Sequence, residues 1–188
     1  MEEVMSFTGV SKAYPVNFTT LAYERLFNEY VPCQTGNEMD YKCFINFVLA
    51  LENPTSEQSI KYFWKLLDLD YSGRLTPRKI KYFYEAIRSS LAGRYDTPSA
   101  EHIVVEVFDA LGCNSEEGAT LQDMIQSKQG QVVISLLLDI DGFWRYDNRE
   151  HLNQMNSIAV EEEEEEEEVA AEYYSSETFD EFELQDRL

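Results

Sequence analysis

Residues 68–79, Asp-Leu-Asp-Tyr-Ser-Gly-Arg-Leu-Thr-Pro-Arg-Lys, set oxygen-bearing groups at alternate positions around a glycine, a spacing that suits a hard divalent cation. A calcium-binding loop of the EF-hand type takes oxygens from positions 1, 3, 5, 7 and 9, turns on a glycine at 6 and closes with a bidentate glutamate at 12. Asp68, Asp70 and Ser72 fill positions 1, 3 and 5, and Gly73 supplies the turn. Arg74 offers its backbone carbonyl at 7 and Thr76 a hydroxyl at 9. Position 12 is Lys79, whose ammonium offers no oxygen and has the same sign of charge as the ion. Calcium is therefore expected to bind weakly or not at all, with the loop serving as a structural turn. No other cofactor is expected.

Two further stretches imitate this pattern without its chemistry. Residues 32–38, Pro-Cys-Gln-Thr-Gly-Asn-Glu, sit where a paired loop would lie, but they start on proline in place of aspartate and are expected to bind nothing. Residues 139–150 place Asp139, Asp141, Asp147 and Glu150 at positions 1, 3, 9 and 12, yet Trp144 stands where the turn needs glycine. That spacing reads as chance. The two histidines, His102 and His151, have no neighbouring Cys or Ser in a nucleophile motif, and there is no Gly-rich phosphate loop. Catalysis of its own is not expected. Cys33, Cys43 and Cys113 are odd in number and lack paired short spacing, which reads as reduced structural thiols.

The elements that must position these residues are helices. Apolar residues recur at i, i+3, i+4 and i+7 in five stripes. These are Tyr23, Leu26, Phe27 and Tyr30; Phe44, Phe47, Val48 and Leu51; Ile60, Phe63, Trp64 and Leu67; Ile80, Phe83 and Ile87; and Val104, Val107, Phe108 and Leu111. Start signals at Thr55 with Gln58, at Thr76-Pro77 and at Thr97-Pro98 support helices over 56–67, 77–91 and 98–112. Helices over 20–31 and 40–51 complete a first helix-loop-helix, and TLQDMI at 120–125 opens another helix. Asp147 with Glu150 resembles a capping pair before a short final helix. Met39 and Leu75 lie where a two-residue antiparallel bridge between paired loops would place them. The fold expected is all-α: an N-terminal segment 1–19, a paired EF-hand-like unit 20–92 with degenerate loops, a second helical unit 93–155, and a disordered acidic tail 156–188.

With 44% hydrophobic and 13% aromatic residues, 188 residues suffice to bury a core. No apolar run reaches membrane-spanning length and no secretory signal is visible, so a soluble, intracellular protein with no membrane partner is expected. The net charge of −21 is uneven: residues 156–188 hold 14 of the 36 acids and one of the 15 bases, a net −13, leaving −8 on residues 1–155. Without clustered Lys and Arg to neutralise phosphates, nucleic-acid binding is not expected.

EMDYK at 38–42, FVLALEN at 47–53, KLLDLDYSGRL at 65–75, KYFYEAI at 81–87, TLQDMI at 120–125 and DIDGFWRYDNRE at 139–150 occur in an order and spacing that resembles the C-terminal half of the B″ regulatory subunits of protein phosphatase 2A, the gamma type most of all. The resemblance covers roughly residues 20–152. It implies a non-catalytic regulatory or targeting subunit that joins the phosphatase scaffold and catalytic subunits and directs them to phosphoprotein substrates, in the cytoplasm and nucleus and at centrosomes or microtubules. The family is expected to carry a longer N-terminal region with a further helical domain and a better-formed calcium loop, supporting scaffold binding and calcium control, and this chain is expected to start after it. A truncated gene model, an isoform and a lineage-specific adaptor half all fit that difference.

Residues 161–168 are eight consecutive glutamates, which repel one another and bury nothing, so a solvated tract is expected. Beyond them Tyr173, Tyr174, Phe179 and Phe182 alternate with acids, a pattern able to dock on a basic apolar groove, and Thr178 with Glu181 suits an acid-directed kinase. Two rival readings follow from other features. An EF-hand calcium sensor or buffer would use Asp68 and Asp70 as ligands, and an acidic-tail binder of basic proteins would show steep salt dependence.

Overall fold

Helical spacing is realised in eight named helices of the computed structural model, which describes residues 5–6, 16–30 and 38–155. In chain order these are α1 (Thr20–Tyr30), α2 (Tyr41–Glu52), α3 (Glu57–Leu67), α4 (Pro77–Leu91), α5 (Ala100–Leu111), α6 (Leu121–Gln126), α7 (Gly130–Leu138) and α8 (Ile140–Asp147). Residues 149–155 are also helical. The strands are two residues each: β1 (Met5–Ser6) pairs antiparallel with β2 (Glu38–Met39), Met5 opposite Met39. The all-α expectation stands. Cys33, most of the 1–19 segment and the 156–188 tail lie outside the described residues.

The described residues up to Trp144 form one compact unit, and those from Arg145 to Met155 belong to a second. In the first, α4 packs on α5 and α7, while α3 lies against α1, α2, α6 and α7. α7, GQVVISLLL, buries Val133, Ile134, Leu136, Leu137 and Leu138. Gln131 and Ser135 are its only polar side chains, so most of its surface needs apolar neighbours. A run this short and this nearly apolar is why stripe counting does not find it. Phe18 is a second unforeseen core residue: 7% exposed, its ring meets those of Tyr23, Phe47 and Phe63 at 5.8, 6.1 and 5.9 Å. The backbone around it is tied to the α7–α8 junction, with the Thr19 N–H donating to the Leu138 carbonyl at 3.0 Å and the Ile140 N–H to that of Asn17 at 2.9 Å.

Two caps fall beside their expected residues. Ser56, not Thr55, caps α3 by accepting the Ser59 N–H, and Ser99, two residues after Thr97, caps α5 by accepting that of His102. Thr76 does start α4, with Pro77 at the first helical position, but its side chain makes no cap bond. The 147–150 capping pair is displaced as well, since Asp147 ends α8 and the Asn148 carbonyl accepts the Leu152 N–H at 3.0 Å. In the second unit the Arg149 guanidinium sits 4.2 Å from the Tyr146 ring centre.

The pairing of loops is corrected. Leu75 does not bridge to Met39 but to Ala119, exchanging two backbone hydrogen bonds at 2.7 and 2.9 Å. Loop 68–79 therefore pairs with the α5–α6 loop. The reason is local: Gly118, at φ +74°, brings its backbone so close that a Cβ there would lie 3.1 Å from the Leu75 carbonyl oxygen. Met39 is already paired with Met5.

Candidate functional site

The loop between α3 and α4 has the shape its sequence calls for. Asp68 ends α3, Tyr71 and Gly73 take positive φ of 54° and 70°, and Asp68 Oδ2 accepts the Gly73 N–H at 2.8 Å. Asp70 Oδ1 accepts the Ser72 N–H at 3.1 Å. The oxygens thus turn inward around a common centre.

Lys79 fills that centre. Its Nζ donates to Asp68 Oδ1 at 2.6 Å, to the Arg74 carbonyl at 2.7 Å and to Ser72 Oγ at 2.9 Å, and it is in short contact with Asp70 Oδ1. Loop positions 1, 3, 5 and 7 all meet one ammonium. The Lys79 side chain is 6% exposed and that of Asp68 9%, whereas the Asp70 side chain remains 65% exposed. The Lys79 ammonium, with the Ser72 hydroxyl second, holds the Asp70 carboxyl well below the ordinary carboxylate range. Of the five expected calcium ligands, Asp68, Asp70, Ser72 and Arg74 are brought together, and Thr76 is not among the groups on Nζ.

The surroundings brace the loop on two sides. On one, Arg25 of α1 donates to the Leu66 and Lys65 carbonyls at 3.2 and 3.3 Å, satisfying acceptors that the last turn of α3 leaves open. Arg25 also pairs with Glu29 at 2.7 Å, and Glu29 accepts the Tyr71 hydroxyl at 2.7 Å. On the other, Arg74 donates to the Glu117 and Gly118 carbonyls, each at 3.2 Å, beside the Leu75–Ala119 bridge. Sequence reasoning missed Arg25 and Glu29, for the contacts span about forty residues and leave no local signal.

Aligned on that bridge, the α5–α6 loop puts Asp123 where the first loop has Lys79. Asp123 does not face a metal. Its Oδ2 accepts both the Thr120 N–H and hydroxyl at 2.7 Å while Thr120 Oγ1 accepts the Asp123 N–H, a reciprocal cap on α6. Those Thr120 bonds hold its carboxyl below the ordinary range. In the 139–150 stretch the acids of the first unit have partners of their own. α8 runs through the stretch, Asp139 Oδ1 accepts the Asp141 N–H at 3.1 Å, and Asp141 accepts from Asn17 at 2.9 Å. No group of three or more His, Cys, Asp or Glu among the described residues is placed to hold a metal.

A cleft of about 490 Å³ beside α2 and α3 is lined by Tyr30, Tyr62, Asn46, Leu49 and Gln58 among others, with the Tyr30 and Tyr62 rings stacked 4.1 Å apart. Its serines are committed to backbone, Ser59 donating to the Ala50 carbonyl and Ser56 to that of Asn53. Burial pushes both tyrosine hydroxyls well above their ordinary range. No helix among the described residues is long and apolar enough to cross a membrane.

No protein-family model matches the chain. Individual relatives do. The gamma-type B″ regulatory subunit of serine/threonine-protein phosphatase 2A from Xenopus tropicalis is 39% identical over 136 residues, 71% of this chain and 30% of that protein. Its Homo sapiens counterpart is 36% identical over 151 residues, 79% of this chain and 33% of that protein. A probable B″ regulatory subunit from Arabidopsis thaliana, TON2, is 36% identical over 143 residues, 72% of this chain and 30% of that one. These are named as regulatory subunits, in keeping with the expectation of no catalysis. In solved structures, a chain of a PP2A PR70 holoenzyme shares the fold at a TM-score of 0.68 and 19% identity, covering 75% of this chain and 53% of that one. The chain spans about a third of the length of the curated relatives it matches. By its sequence, the chain is a homologue of the B″ regulatory subunits of protein phosphatase 2A.

Proposed function

We propose that the chain is a non-catalytic regulatory segment of the B″ type that associates with the protein phosphatase 2A scaffold and catalytic subunits and presents phosphoprotein substrates to them. The observation that carries this reading is the 36–39% identity to B″ gamma subunits over most of the chain. The same reading puts the chain in the cytoplasm and nucleus, at centrosomes or microtubules. The brace of Arg25, Glu29 and Tyr71 on one side of loop 68–79 and of Arg74 on the other favours a rigid docking body over a sensor. A sensor needs a loop whose ligands are free for calcium, and here four of them are engaged by Lys79.

Affinity purification of the tagged chain tests the proposal. Scaffold and catalytic subunits should co-elute in comparable amounts, and a fluorescent fusion should follow the catalytic subunit. Elution of the chain free of both, at protein levels where they are abundant, rules the proposal out.

A further inference from the structure

We propose that loop 68–79 is an EF-hand loaded by its own chain: the Lys79 ammonium takes the place of the calcium ion, so the loop keeps its ligand-bound shape without metal and excludes calcium. The proposal rests on the loop geometry alone and stands apart from the phosphatase reading. Calcium is what the loop pattern implies, and the residues present do not fit it. A calcium ion needs six to eight oxygens, beginning with those of positions 1, 3, 5 and 7. Here those four groups already face Nζ, at 2.6, 2.9 and 2.7 Å from Asp68, Ser72 and Arg74, with Asp70 in short contact.

The reach of the side chain explains the exchange. From position 12, in the first turn of α4, a glutamate has two methylenes and stops short of the centre, so that its carboxylate is a ligand. A lysine has four, and its charged end arrives at the centre itself. The charges at the centre balance in the same sense: the two carboxylates and the ammonium sum to −1, as three carboxylates and a divalent ion would. Entry of calcium would require expelling a side chain that is only 6% exposed, and its departure would still leave no bidentate ligand at 12.

The test is calcium titration by calorimetry, with melting curves in calcium and in EGTA, on the 188-residue chain carrying Lys79, Lys79→Met or Lys79→Glu. The Lys79 chain should give no binding heat up to about 1 mM calcium, far above the roughly 10⁻⁷–10⁻⁵ M range of sensor sites, and should melt at one temperature in both buffers. Lys79→Met should melt lower. Lys79→Glu should melt lower in EGTA and recover in calcium, with binding at least tenfold tighter than in the Lys79 chain. Micromolar calcium binding by the Lys79 chain overturns the proposal, as does a Lys79→Met variant that melts like it. A folded Lys79→Glu variant indifferent to calcium also counts against it. If that variant does not fold, the first two comparisons still decide the matter.

Discussion

A lysine reaching the centre of a cation loop changes which residues matter most around it. Asp68 is buried with Lys79, and removing the lysine strands that carboxylate away from water, at a cost of about 3–5 kcal/mol. Asp70 touches the same ammonium from an exposed position, where solvent screens the pair, so it contributes far less. Burial, and not the number of contacts, ranks the two aspartates. Arg25 is the next residue by this reasoning, because its guanidinium serves two carbonyls at the end of α3 and pairs with Glu29 while only 15% exposed. Hydrogen bonds to a charged group contribute about 1.5–3 kcal/mol. Arg25→Ala should therefore lower unfolding free energy by about 2 kcal/mol in urea titration, with an unchanged denaturant slope. A loss below the error of the titration would mean that the brace is ornamental.

At the level of elements, stripe spacing locates α1, α3, α4 and α5 to within a residue or two, since each buries one face and shows the other to solvent. It is less informative for α2, where Phe47 and Ala50 are buried and Phe44, Val48 and Leu51 stay half-buried. α7 escapes because nine residues with only Gln131 and Ser135 polar give little periodicity to detect. The candidate ligands of loop 68–79 are legible one by one, for they lie within twelve residues. What occupies their centre is not legible, because a residue type at position 12 reads as a lost ligand until its side chain is placed. Loop pairing is likewise hidden: Gly118 lies in an irregular stretch, and only the close approach to Leu75 shows why glycine stands there. Gly118→Ala would force a Cβ onto that carbonyl at a positive φ, for which the left-handed conformation alone costs about 1–2 kcal/mol. The expected result is a lower melting temperature together with faster amide exchange at Leu75 and Ala119. Unchanged exchange at both amides would show that the bridge does not depend on this glycine.

At the level of the whole molecule, the first unit is a body of helices around α3, α4 and α7 in which a calcium-type loop is braced by α1 and paired with its neighbour. Homology to the B″ regulatory proteins supplies the reading of that body as a docking element, and the lysine-filled loop is the basis for proposing that it works without metal. The two meet in a single measurement: capture of the phosphatase 2A scaffold and catalytic subunits by the immobilised chain, in parallel, in EGTA and in about 1 mM calcium, a level that saturates sensor-type sites. Equal capture of both partners in the two buffers is the expected result. Capture that appears only in calcium, or no capture in either, would contradict it.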